Sequence, residues 1–282
     1  MASSTRGRAS LLTALALLIF LSGVPLGAEC GRVFTIVNQC KTTIWPAAFP
    51  GDSFGGGGFE LPPGKSRAFT VPDAWSGRVW GRTGCAFDAA GNGSCATGAC
   101  GSLLRCGASG DPPASLAEFT LGSNNKDFYD VSLVDGFNLP LLVTPVVKGH
   151  GGGRGNCSAA GCRSDLRDSC PPELAVKAKE PHGRTATVAC RSACDVFDTD
   201  EYCCRGRHGG PSTCPPTAYS KTFKAACPAA YSYAYDDPSS LFTCSSDADF
   251  HIAFCSRSSR SWPMISTIML VLLFCFQTLQ FS

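Results

Sequence analysis

The sequence carries almost no excess of charge of either sign. Its 24 Lys and Arg face 22 Asp and Glu, for a formal net charge of +2. Setting aside residues 1–30, which hold Arg6, Arg8 and Glu29, leaves +2 − 1 = +1. A field that weak does not steer nucleic acid, which excludes that partner. The four histidines (His150, His182, His208 and His251) show no ligand spacing, and the close cysteine spacings are too irregular for zinc knuckles. Nothing in the sequence calls for a metal or another cofactor. The run Gly55 to Gly58 is followed by no Gly-Lys-Ser/Thr and opens no helical pattern, so it reads as a flexible hairpin loop rather than a phosphate cradle. There is no internal repeat, and long helical runs are few.

The two ends have a composition of their own. Arg6 and Arg8 precede the apolar run Leu11 to Leu21, with Gly23, Gly27 and Ala28 beyond, the layout of a secretory signal peptide over residues 1–30. Removal of that segment implies a secreted protein and an oxidising compartment. The apolar stretch Met264 to Phe276 falls short of the ~20 residues of a spanning helix. No Lys or Arg follows it, and Ser256, Ser258, Ser259 and Ser261 precede it. Residues 257–282 therefore fit a GPI-attachment signal better than a stop-transfer helix, despite a short spacer containing Trp262. A retained tail-anchor and a sorting propeptide are the alternatives.

What the chain has in abundance is cysteine, glycine and proline: 18, 31 and 19. Cys30 and Cys275 lie in the terminal segments, leaving 18 − 2 = 16 cysteines within residues 31–256. An even set in a secreted chain predicts complete pairing into disulfides, each stabilising by about 2–5 kcal/mol. Spacing alone leaves the connectivity open. The even count also favours cleavage after Cys30, since cleavage after Ala28 leaves an odd thiol.

Gly and Pro punctuate short strands and many loops. Alternating β-branched and aromatic residues predict a strand from Gly31 to Cys40. Further strands are predicted over Thr42–Trp45, Ser66–Val71, Glu118–Leu121, Phe128–Leu133, Leu141–Pro145 and Phe250–Phe254. Gly149 to Gly155 reads as an exposed loop. After Cys157 the alternation fades, and two short helices are expected: Ala193–Phe197 capped by Ser192, and Ala218–Ala226 capped by Thr217 and stopped by Pro228. Tyr219 and Phe223, four apart on the second helix, read as core anchors. Of two glycosylation motifs, Asn92-Gly-Ser94 suits a loop, whereas Asn156-Cys-Ser158 contains a cysteine expected to pair and is discounted.

Several blocks together resemble a known family. The run GNGSCATGACGSLLRC from Gly91 to Cys106 is similar to the thaumatin signature. GRVWGR (Gly77 to Arg82), LAEF (Leu116 to Phe119), FYDVSLVDGFN (Phe128 to Asn138), YCC (Tyr202 to Cys204) and the stretch Tyr231 to Cys244 look like the other blocks of thaumatin-like, plant pathogenesis-related proteins. The match runs from about Val33 to Cys255.

The resemblance implies a mainly β fold over residues 31–256: a flattened sandwich, a disulfide-rich loop and short-helix region about 162–227, and a small stapled lobe about 85–106. It implies the pairs Cys40–Cys255, Cys85–Cys95, Cys100–Cys106, Cys157–Cys244, Cys162–Cys227, Cys170–Cys190, Cys194–Cys203 and Cys204–Cys214. It also implies an acidic cleft carrying Arg78, Glu118, Asp130, Asp135 and Asp236. The chain departs from the signature at Ala99, where Asp is usual, and at Ser102, where Gly or Gln is usual. Both positions fall in the small lobe, away from the cleft.

Carboxylates facing one groove offer acceptors for sugar hydroxyls, with Arg78 holding them ionised. The implied function is a secreted or surface-anchored defence protein that binds β-1,3-glucan, another cell-wall carbohydrate or a fungal membrane component. The enzymatic alternative is a weak endo-β-1,3-glucanase with Glu118 as acid and Asp135 as its partner. A membrane-tethered receptor or adhesion module is a third reading, resting on the tail alone. No Ser-His-Asp or Cys-His arrangement is visible, since the cysteines of residues 31–256 are committed to pairing.

Overall fold

The computed structural model describes residues 31–147, 157–179, 183–245 and 248–256. The expected signal peptide over residues 1–30, the apolar tail, Asn156 and the predicted loop Gly149 to Gly155 lie outside these residues.

Alternation of side chains builds the first sheet. In β1 (Arg32–Asn38) every second residue is buried, including Phe34 and Ile36. It pairs in parallel with β14 (Asp249–Phe254) and antiparallel with β3 (Ser66–Val71), while β9 (Leu141–Val146) and β10 (Ala160–Cys162) complete the order β10-β9-β14-β1-β3. The second sheet has the order β13-β8-β7-β4-β2, from β2 (Trp45–Phe49), β4 (Ser76–Arg82), β7 (Leu116–Ser123), β8 (Lys126–Ser132) and β13 (Phe242–Ser245). Phe34 and Phe250 of the first sheet meet Phe119 of the second at ring-centroid distances of 4.7 and 5.2 Å. Each fully buried ring of this kind contributes roughly 1.5–3 kcal/mol.

The strand predicted from Thr42 starts later: Thr42 lies in a bend, Ile44 makes a single bridge to Leu61, and β2 begins at Trp45. The reason is local: the buried Asn38 side chain donates to the Thr42 and Leu61 carbonyls and accepts from the Cys40 amide, so the chain folds back around it.

The outer face of the second sheet carries the small lobe, which contains the hairpin β5 (Ala86–Phe87) and β6 (Gly93–Ser94). Trp80 and Leu116 are buried beneath it with Ala47, Cys106 and Ala114. Arg82, fully buried, donates to the carbonyls of Trp45, Leu103 and Leu104. Burial lowers its guanidinium pKa to about 10. A Cβ at Gly58 would strike the Leu104 carbonyl and this guanidinium, so the sheet and lobe approach too closely for any other residue there. Arg82→Lys keeps the charge but loses the fork that serves three acceptors. It is expected to cost roughly 2–3 kcal/mol in urea denaturation.

The disulfide-rich region holds the hairpin β11 (Ala175–Lys179) and β12 (Thr185–Cys190). Four short α-helices follow among the described residues: α1 (Ala193–Phe197), α2 (Asp200–Cys203), α3 (Ala218–Ala226) and α4 (Asp237–Ser240). Ser192 caps α1 by accepting from the Asp195 amide, and Thr217 caps α3 by accepting from the Ser220 amide. No strand is expected here from the sequence, because the Val-Lys-Ala-Lys alternation of β11 is only four residues long and lies in the cysteine-crowded half of the chain.

Eight disulfides among the described residues join Cys40 to Cys255, Cys85 to Cys95, Cys100 to Cys106, Cys157 to Cys244, Cys162 to Cys227, Cys170 to Cys190, Cys194 to Cys203 and Cys204 to Cys214.

Candidate functional site

Sheet register decides which polar groups meet. On β4, Val79 points into the sandwich, which turns Arg78 outward. On β7, Ala117 and Phe119 point inward and Glu118 outward; on β8, Tyr129 and Val131 point inward and Asp130 outward. Arg78 lies opposite Glu118, and Glu118 lies opposite Asp130. The three side chains therefore form a row across adjacent strands. A slip of one residue would bury all three charges, so the hydrophobic pattern that fixes the core fixes the row as well.

Arg78 Nη2 lies 2.9 Å from Glu118 Oε1, and Arg78 Nη1 donates to Ser109 Oγ at 3.2 Å. Beyond Asp130, β8 ends in the turn Leu133 to Gly136, which presents Asp135 to the same trough. Tyr231 is zipped against the end of β8: its amide donates to the Val131 carbonyl and its carbonyl accepts from the Leu133 amide. That pairing carries Tyr231 and Asp237 into the wall, with Tyr231 Oη donating to Asp237 Oδ1 at 3.0 Å. The result is an open cavity of about 350 Å3. A second cavity of about 200 Å3 shares Arg78, Glu118 and Asp130 and is bordered by Phe128 and Leu241.

Four of the five expected residues, Arg78, Glu118, Asp130 and Asp135, line this trough. Asp236 does not. It is 8% exposed, with Oδ2 accepting from the Ser232 amide and hydroxyl and pairing with Lys224 Nζ at 3.0 Å, while Oδ1 accepts from Ser239 Oγ. Burial raises its pKa, but those donors outweigh burial and leave it lowered. The carboxylate that reaches the trough is the neighbouring Asp237. The family resemblance points to Asp236, and the sequence does not show that the adjacent Asp237 turns to the trough instead, because adjacent residues point in different directions. Ser132 and Tyr231 also line the trough without a signal in the sequence, having no charge to draw attention to them.

The acids differ in proton affinity. Burial first, and the Glu118 charge second, push Asp130 up to about 8, against the pull of Arg78. Its Oδ1 is buried without a hydrogen-bond partner. Burial also raises Glu118, against the opposing pull of Arg78, and raises Asp135 in the same way. Asp130 is therefore the acid whose proton is held most tightly, whereas the sequence gives the acid role to Glu118. The ion pair of Glu118 with Arg78 explains the difference.

A group whose pKa is higher in the folded state stabilises most at low pH, and its contribution falls as pH rises through the folded value. Stability should thus decline from about pH 4 to about pH 8, by roughly 2 kcal/mol after allowing for solvent in the trough. Asp130→Asn should flatten that decline in thermal melts across the range.

A densely crosslinked two-sheet β-protein with an acid-lined trough on one outer face is the class that these features define. The model of the thaumatin family matches residues 38–256. The chain is 54% identical over 251 residues to a pathogenesis-related thaumatin-like protein 3.5 of Cryptomeria japonica, covering 88% of this chain and 98% of that one. It is 53% identical over 242 residues to a pathogenesis-related protein 5 of Arabidopsis thaliana, covering 84% and 96%. Among solved structures, a thaumatin-like xylanase inhibitor covers 79% of this chain and 99% of its own, with 26% identity and a TM-score of 0.42. The chain belongs to the thaumatin family.

Proposed function

We propose that the protein is an extracellular, defence-associated binding protein whose trough takes β-1,3-glucan or a related cell-wall carbohydrate. The observation that supports this is the row Arg78–Glu118–Asp130, set across three strands in an open trough. Strands lie about 4.8 Å apart, so the row spans roughly 10 Å, the reach of a short saccharide. It presents to one ligand a guanidinium that donates, carboxyl oxygens that accept, and in Asp130 a carboxyl whose raised proton affinity lets it donate as well. Sugar hydroxyls need both donors and acceptors. Eight disulfides suit a site held open outside the cell.

Calorimetric titration with soluble laminarin tests the reading. Saturable binding that weakens in Glu118→Gln supports it. Binding unchanged in that variant, or no binding, rejects it.

The hydrolytic alternative draws on the unequal acids, since one carboxyl protonated beside another ionised is the arrangement general acid catalysis uses. Release of reducing sugar from laminarin decides between the two. A binding protein releases none, and a glucanase loses its release in Asp130→Asn.

A further inference from the structure

The rim of the acidic trough is shared. Val134 and Ala234 line it on one side and, on the other, line a narrower pocket of about 70 Å3. At ~15 Å3 per water, that is room for about five waters, or for the edge of a sugar ring with its hydroxymethyl group. The pocket's floor is apolar, with Leu133 and Phe223 among its residues.

Its walls are fixed by covalent links and ring packing. The disulfides Cys194–Cys203 and Cys204–Cys214 both border it. Tyr202 and Tyr219 pack on Phe197 at ring-centroid distances of 5.3 and 5.5 Å and on each other at 5.7 Å. Tyr219 Oη is engaged, donating to Glu173 at 2.7 Å. Among the described residues, the hydroxyls of Tyr202 and Tyr233 make no hydrogen bond to another protein group, although both residues line the pocket.

We infer that this pocket is an outer subsite of the acidic trough, holding the apolar edge and hydroxymethyl group of the sugar unit next to those on the acid row. Tyrosine joins an apolar ring face to a polar tip, and a pyranose likewise joins C–H surface to hydroxyls. A wholly apolar ligand would bury the Tyr202 and Tyr233 hydroxyls without partners, a cost that a sugar's own hydroxyls remove. A lone monosaccharide would not use the shared rim. The ligand class that fits is therefore an oligomer or polymer crossing Val134 and Ala234. The inference rests on the carbohydrate reading of the trough.

The test is calorimetric titration of the full protein with laminari-oligosaccharides of roughly two to six units. Three proteins are compared: the unmodified chain, Ala234→Trp, which plugs the rim from an exposed position, and Tyr202→Phe, which removes one hydroxyl and keeps the ring packing. In the unmodified chain, affinity should rise about tenfold between three and five units. Ala234→Trp should abolish that rise. Tyr202→Phe should weaken the longer ligands about three- to tenfold. If the rise persists in both variants, the pocket holds no sugar and the inference falls while the trough reading stands. If the unmodified chain binds none of the oligosaccharides, the trough reading fails and takes the inference with it.

Discussion

Replacing Cys40 and Cys255 together by alanine should lower stability by about 4–5 kcal/mol and the melting temperature by roughly 8–15 °C. This bond closes the longest loop of the eight, with a sequence separation of 215, against 10 for Cys85–Cys95. In the chain-entropy account, stabilisation grows with the logarithm of loop length. The other seven crosslinks lie inside the loop and shorten its path, which keeps the value near 4–5 rather than above it. The bond also joins the ends of β1 and β14, whose parallel pairing aligns Asn38 with Phe254. Parallel neighbours far apart in sequence have no short turn to hold their register, so the crosslink holds it instead. Removing Cys85–Cys95 should cost nearer ~3 kcal/mol and disturb only the small lobe. Guanidinium denaturation of both variants checks the ranking, and equal losses would contradict it.

Glu118→Gln combined with Asp130→Asn should reduce glucan affinity by about 100-fold or more while leaving the fold intact. Both side chains sit on the outer face of the sheet, and neither packs into the core. The amide introduced at position 118 would deprive Arg78 of its anionic partner, now 2.9 Å away, and would remove the charged acceptor from the centre of the row. The amide at position 130 would replace a carboxyl that changes protonation with a group that does not. Asp236→Asn should behave in the opposite way. It removes the anchor of Lys224, Ser232 and Ser239, so it should cost about 2–3 kcal/mol of stability and change affinity far less. Melts and titrations run side by side on the double variant and on Asp236→Asn separate the roles.

Much of the fold is legible where one physical rule dominates. The strict alternation of β1 and the cap–stop signals of α3 can be read directly, and α3 spans Ala218–Ala226 as the Thr217 cap and Pro228 stop predict. β4 does not read as a strand, because Gly77 and Gly81 interrupt its pattern. They are there because neighbours leave no space: a Cβ at Gly77 would meet the Phe49 carbonyl and the Trp75 ring, and one at Gly81 would meet Phe254 and Leu139. Trp75 apart, those are contacts between distant segments, which no local window contains. α2 and α4 are single turns held by neighbouring structure, too short for periodicity to reveal. The site divides the same way. Residues on regular strands follow from alternation and the family blocks, whereas Asp237 depends on how the segment after Tyr231 is zipped against β8. The proton on Asp130 depends on burial and on where Arg78 points, neither of which is local in sequence.

The central claim is that Arg78, Glu118 and Asp130 together hold the carbohydrate. Its most direct test is a magnetic-resonance titration of the labelled protein with laminaripentaose, following the side-chain carboxyl carbons and the arginine Nε–H groups. All three residues should shift together, saturably and with one dissociation constant. No shift at millimolar ligand, or shifts confined to another face, would contradict the account.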